Sequence, residues 1–227
     1  MTPQPFIAVG GQQIMLDGGA SCLGFQQHGL AFSSGHPRTA PVDLVVLHDT
    51  AGEQDGKGVF ATLEKRRLSI HFVIDRKGLI WQFLDPATHV AWHAGAVNGR
   101  SVGIETANVV FPPNLKPGLF SNLRKYVLTG KEKLMGRPVV VDDYRGAKRR
   151  ILGHFEAQKE AARALVAALL EAFPGVPHRL PRIAGTGKLH GLRVEDGWAG
   201  VAAHLHFSEH HCDPALDLFD DLDPFLG

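Results

Sequence analysis

The sequence predicts an α/β fold: a single domain with a central mixed β-sheet flanked by helices, plus an N-terminal extension. Three observations carry that expectation. Leu44-Val-Val-Leu47 is a short continuous apolar run of the kind that forms a strand buried on both faces. Over Glu156–Phe173, Ala162, Leu165, Val166, Leu169, Leu170 and Phe173 recur at three-to-four spacing, the signature of a helix with one buried face. Further strand-like runs alternate with these segments, which is the pattern of helices packed on a sheet.

In chain order, residues 1–40 are rich in Gly, Gln and Ser and read as the extension, with a short hairpin around Phe6–Leu16. The domain is expected from 41 to 227. After the Leu44 strand comes a glycine-containing loop, then helical character over Val59–Arg67. HFVIDRKGLIWQFL holds two β-rich runs around Asp75-Arg-Lys-Gly78, a hairpin signal. SVGIETA (Ser101–Ala107) reads as a core strand. Residues 108–152 read as an insertion whose basic side chains (Lys131, Lys133, Arg137, Arg145, Lys148, Arg149, Arg150) have a solvated loop as their default. Pro174-Gly175 ends the long helix. Residues 174–200 read as a loose segment, and Val201–Phe207 as the last strand.

Bulk properties narrow the function classes. Hydrophobic content of 44% and charged content of 21% suit a globular chain. A net charge of +1 gives no reason to expect nucleic acid or an acidic membrane as partner. Cys22 and Cys212 are the only cysteines, so no disulfide framework supports the fold. No window approaches the ~18 uninterrupted apolar residues of a membrane span. The N-terminus lacks a basic segment followed by a long apolar one, so the expected location is cytoplasmic, with signal-independent export or release by lysis as the other routes. Oligomeric state is not readable.

The chemistry concentrates near the C-terminus. HLHFSEHHCDP (His204–Pro214) holds four histidines, a cysteine, a glutamate and an aspartate. His204 lies near the end of a strand, and His48 lies at the end of LVVLHDT. Strand ends are where α/β sheets build sites. Two histidines and a carboxylate with a fourth position open form a zinc set of catalytic type, because structural sites are closed and richer in cysteine. On spacing alone, Cys212 competes with Asp213, and His206 competes with His204. Glu105 stands inside a core-like strand, where an unpaired carboxylate is costly, so it is either paired structurally or functional. Asp49 either orients His48 or starts the loop.

The ordered set LVVLHDT, SIHFVIDRKGLIWQFLD, VAWHAG, NGRSVGIETAN, a helix near AQKEA and a final strand-His with DP downstream resembles the zinc-dependent N-acetylmuramoyl-L-alanine amidases of amidase family 2, which share a fold with peptidoglycan recognition proteins. The resemblance covers roughly residues 42–216. It implies Zn2+ held by His48, His204 and Asp213, the last standing directly before proline as the family's third ligand does. It implies Glu105 as the catalytic glutamate. His71 and His93 match recurring family histidines, with site-lining and packing roles both open, as for Trp92. Where many members carry an oxyanion-stabilising lysine two residues before the third ligand, this chain has His211, whose imidazole N–H can donate instead. Gly153-His154 offers a second glycine-histidine pair, but no Asp-Pro or Cys-Pro follows it at a suitable distance and a helix starts directly after, which excludes His154 as a ligand. The implied substrate is peptidoglycan or a muropeptide. The rival readings are a non-catalytic peptidoglycan-binding module of the same fold and a zinc amidase acting on another amide.

Overall fold

The computed structural model describes residues 1–109, 133–134, 137–145, 147–182, 191, 193–220, 222 and 226. The strands are β1 (Phe6–Val9), β2 (Gln12–Met15), β3 (Cys22–Leu23), β4 (His36–Pro37), β5 (Leu44–Asp49), β6 (Phe72–Ile74), β7 (Ile80–Gln82), β8 (His89–Val90), β9 (Ser101–Thr106), β10 (Lys133–Leu134), β11 (Arg137–Tyr144), β12 (Ala147–Leu152) and β13 (Gly200–Ala203). The α-helices are α1 (Phe25–His28), α2 (Gly56–Lys65) and α3 (Glu156–Ala172).

The central sheet runs β13-β5-β9-β6-β7-β3. It is mixed: β13, β5, β9 and β6 are successively parallel, and β6–β7 is the antiparallel hairpin expected around Asp75. That hairpin turns because Asp75 Oδ1 accepts the backbone N–H of Lys77 and Leu79, while Gly78 takes a φ of 78°. Strand β5 is buried along its whole length, which accounts for its unbroken apolar run. Alternation sends Val45 and Leu47 to one face and Leu44 and Val46 to the other.

Helix α3 covers the first face. Its Leu165, Val166, Leu169 and Leu170 pack with Val45, Leu47, Phe72, Ile74, Val102 and Ile104, at about 2 kcal/mol of hydrophobic stabilisation for each fully buried side chain. Its start is fixed by Gln158, whose Oε1 accepts from Phe155 N and whose Nε2 donates to Ala107 O at the end of β9. Helix α2, capped by Asp55 accepting from Gly58 N, lays Val59 and Leu63 in a second cluster with Ile70, Val73 and Trp81.

Residues 1–40 contribute to the core. The β1–β2 hairpin turns Ile7 and Val9 inward against the α3 cluster, and β3 joins the edge of the central sheet beside β7. The Gly- and Gln-rich flanks had suggested an appendage, yet the period-2 alternation of four residues is enough to anchor the hairpin.

Part of the 108–152 segment departs from a solvated loop. Strands β11 and β12 pair antiparallel over six residue pairs. Arg137 is wholly buried, 3.2 Å from Glu53, with its guanidinium stacked on the Phe155 ring and donating to Asn108 Oδ1 and Ala107 O. Arg149 is also buried and donates to the carbonyls of Cys212 and Pro214. The reason is pairing: each guanidinium has carbonyl partners, and that of Arg137 a carboxylate as well, for its terminal N–H groups. Arg145 and Lys148 are exposed, as expected. Lys131 and the side chains of Lys133 and Arg150 lie outside the described residues. No helix among the described residues is long and apolar enough to cross a membrane.

Candidate metal centre

The site forms where β5, β9 and β13 end together. The parallel register sets His48 beside Glu105 on β9 and Ala203 beside Leu47, so His204 leaves β13 next to His48. The last strand stops at Ala203, earlier than expected, and His204–His206 form a 3-10 turn. That turn separates the two competing histidines. His206 folds back so that its Nδ1 accepts from Ala203 N, while His204 faces the cleft. Strand alternation would have aimed both at one face; the turn removes that equivalence.

His48, His204 and Asp213 each offer one donor atom, and these atoms lie within 4.8 Å of one another. Asp213 Oδ2 is 3.2 Å from His204 Nδ1 and 3.6 Å from His48 Nδ1. Cys212 stays out of the group. It packs against the Ile151 and Ala215 cluster, and burial pushes its thiol up to about 11, so it carries no thiolate near neutrality.

The imidazole of His48 is oriented from behind. Its Nε2 meets His93 Nδ1 at 2.9 Å, and His93 Nε2 meets Ser101 Oγ at 3.1 Å. Were Nε2–H donated to His93, His48 Nδ1 would carry a lone pair toward Asp213 and His204, the tautomer a metal ligand needs. Gly103 makes room for this chain of contacts: a Cβ there would come within 2.6 Å of His93 Nδ1. Burial, and after it the neighbouring His204, lowers His48 to about 4, so it is neutral and able to ligate. For Asp213 burial acts upward, but its hydrogen bonds with His204 and His48 outweigh it and hold the carboxyl well below the usual range.

Glu105 looks into the same cleft, and its Oε2 is buried with no hydrogen-bonding partner among the described residues. Burial, and then the nearby Asp213 and Asp49, push its carboxyl well above the ordinary value. A carboxyl of raised proton affinity is suited to take up and pass on a proton in the cleft. His211 stacks on His204 with ring centroids 3.8 Å apart, and its Nδ1 lies 2.7 Å from Ser208 Oγ. A Ser208 O–H donated to Nδ1 would leave the proton on Nε2. Burial and then His204 lower the pKa of His211.

The two family histidines part ways. His93 lines the cleft, while His71 does not. His71 accepts from Gly103 N through Nδ1, with Nε2 donating to His89 O, and burial lowers it to about 3. Trp92 is 45% exposed at the cleft wall rather than in the core. Sequence reasoning missed the wall supplied by α2 and the residues flanking it, where Gln54, Thr62 and Arg66 line a cleft of about 210 Å3. Polar positions on an exposed helix face carry no distinguishing signal. It also missed what Asp49 and His154 do. Asp49 turns to the α3 face, away from the His48 ring, and meets His154 there at 2.8 Å.

Two histidines at strand ends and an aspartate from the segment that follows, on a mixed α/β sheet with a further carboxylate at the same cleft, define the class as a candidate metallohydrolase of one domain. The amidase family 2 model, described as N-acetylmuramoyl-L-alanine amidase, matches residues 38–215, and the chain belongs to this family. Among solved structures, the Ph2119 endolysin of a Thermus scotoductus bacteriophage aligns over 88% of this chain and 97% of its own, with a TM-score of 0.50 and 15% identity. A selenomethionine derivative of AmpD aligns over 89% and 93%, with a TM-score of 0.49 and 18% identity. AmpDh3 of Pseudomonas aeruginosa, solved in complex with an anhydromuramic pentapeptide, aligns over 82% and 63%, with a TM-score of 0.47 and 18% identity. At these identities the likeness is one of fold. A search of curated proteins finds no match.

Proposed function

We propose that this chain is a zinc-dependent amidase that cleaves the amide between the lactyl carboxyl of N-acetylmuramic acid and L-alanine of the stem peptide. Family membership supports the reaction class. The observation that carries the zinc reading is the convergence of His48 Nδ1, His204 Nδ1 and Asp213 Oδ2 beside the unpartnered Oε2 of Glu105. Two imidazole nitrogens and one carboxylate oxygen are zinc donors of the hydrolytic type, with the fourth side facing the cleft.

Zinc, when bound, polarises the scissile carbonyl and makes a water acidic enough to deprotonate near pH 7. Glu105 takes the proton of the attacking water and delivers it to the leaving nitrogen of L-alanine, a double duty that its raised proton affinity suits. His211, with its proton on Nε2, donates to the oxygen of the carbonyl as negative charge develops there. His93 and Ser101 keep His48 in the ligating tautomer. The exposed Trp92 ring forms a wall against which the substrate lies.

Metal analysis tests the reading. The purified chain should hold one zinc, and His204→Ala and Asp213→Ala should each lose it while staying folded. Muropeptide binding by a chain that takes up no zinc would replace the amidase with a binding module.

A further inference from the structure

Beneath the metal centre, on the α3 face of the sheet, lies a buried chain of charges that the proposed reaction does not use. His154 is 1% exposed. Its Nε2 is 2.8 Å from Asp49 Oδ1 and its Nδ1 is 2.8 Å from Asp217 Oδ1, while its backbone N–H donates to Asp217 Oδ2 at 2.8 Å. Gly153 is required by this packing, because a Cβ there would sit 2.6 Å from Asp217 Oδ2. Both ends of the bridge lead to the metal donors. Asp49 directly follows His48 on β5. Its Oδ2 accepts from Ala215 N at 3.0 Å, and its own N–H points to Asp213 Oδ2 at 3.4 Å. Asp217 closes the same Asp213–Asp217 segment from the other end. Asn108, held by Arg137, also donates to Asp49 Oδ2 and carries the contact on to Glu53. Lys159 faces Asp217 at 3.7 Å.

His48 and Asp213 come from distant parts of the sequence, and Asp213 sits on a segment without regular structure. Some rigid element must hold that segment against the strand end, since ligand geometry is set by what surrounds the ligands. We infer that His154 is a positioning residue of the metal centre: by bridging Asp49 and Asp217 it clamps the Asp213–Asp217 segment to the end of β5 and sets the spacing between His48 and Asp213. The inference rests on the metal reading above. It gives a purpose to a histidine that is outside the donor group, and to the choice of aspartate at 49 and 217.

The test compares the full-length wild type with His154→Gln and with Asp217→Asn, a milder change that keeps the side chain's size. Zinc affinity is measured by competition with a chromogenic chelator at 15 °C, the absorption spectrum of the cobalt(II) form is recorded, and the melting point of the zinc-free protein is taken separately. Folded His154→Gln should bind zinc about 10- to 100-fold more weakly, the loss typical when a group supporting a ligand is removed. Its cobalt(II) spectrum should also change, because the donor geometry has. If His154→Gln does not fold, Asp217→Asn should show the same two changes in smaller measure. Wild-type zinc affinity and an unaltered cobalt(II) spectrum in a folded variant would reduce His154 to a stability role and overturn the inference. Should the wild type itself bind no zinc, the metal reading fails first and takes this one with it, a result distinguishable from the variant's.

Discussion

The pH dependence of stability isolates one buried residue. For His154 burial acts downward, but the carboxylates of Asp49 and Asp217 outweigh it and raise the imidazole to about 9. A histidine with a folded-state pKa above its ordinary 6.5 stabilises the fold fully below pH 6.5, and that stabilisation is lost as pH rises through 9. Between those limits the slope is about 1.4 kcal/mol per pH unit. From pH 7 to pH 8.5 the zinc-free protein should therefore lose on the order of 2 kcal/mol, or roughly 5 °C in melting temperature for a domain of this size. Glu105, raised well above its ordinary value, adds a loss of the same sign that the wild type and His154→Gln share, so the difference between the two isolates His154. His48 and His71 are held low, at about 4 and about 3, so their contribution changes only below pH 6.5. Cys22 and Cys212, raised to about 12 and about 11, act only as pH approaches 9 and beyond. The assay is thermal unfolding in chelator across pH 6.5–8.5, for the wild type and for His154→Gln. A melting point that stays level in the wild type, or falls equally in the variant, would refute the charged bridge.

Three further outcomes follow from the site and its supports. Glu105→Gln should keep its zinc while losing turnover by about 10²- to 10⁴-fold, measured on a muramyl peptide at saturating zinc; retained turnover would assign the proton transfers elsewhere. His211→Ala should lower turnover by roughly a hundredfold, corresponding to ~3 kcal/mol of oxyanion stabilisation, and near-normal turnover would remove His211 from the reaction. Arg137→Met should cost about 3 kcal/mol in urea unfolding, because Glu53 keeps Arg76 at 3.1 Å but loses its buried partner, and Asn108 Oδ1 and Ala107 O each lose one of their donors.

What the sequence made legible was what local pattern encodes. The unbroken apolar run of β5, the turn chemistry of Asp75–Gly78 and the periodicity of α3 are each a local physical signal, and each element stands where it was expected. His48 and Glu105 were readable because each interrupts a strand with a group that is costly to bury. Ligand choice between His204 and His206 was not readable, since it depends on a 3-10 turn in place of two more strand residues. The buried positions of Arg137 and Arg149 were hidden for a related reason. A basic residue reads as solvated until its partners are known, and Glu53, Asn108 and the carbonyls of Cys212 and Pro214 are remote in sequence. His154 shows the same limit: Gly153-His154 was visible, while Asp49 and Asp217 become its neighbours only in the folded chain.

The most direct test is mass spectrometry of a defined muramyl peptide incubated with the purified chain, with and without a zinc chelator. Release of free peptide beginning at L-alanine, abolished by chelator and restored by added zinc, is the predicted result. An intact substrate in the presence of zinc-loaded protein would contradict the account.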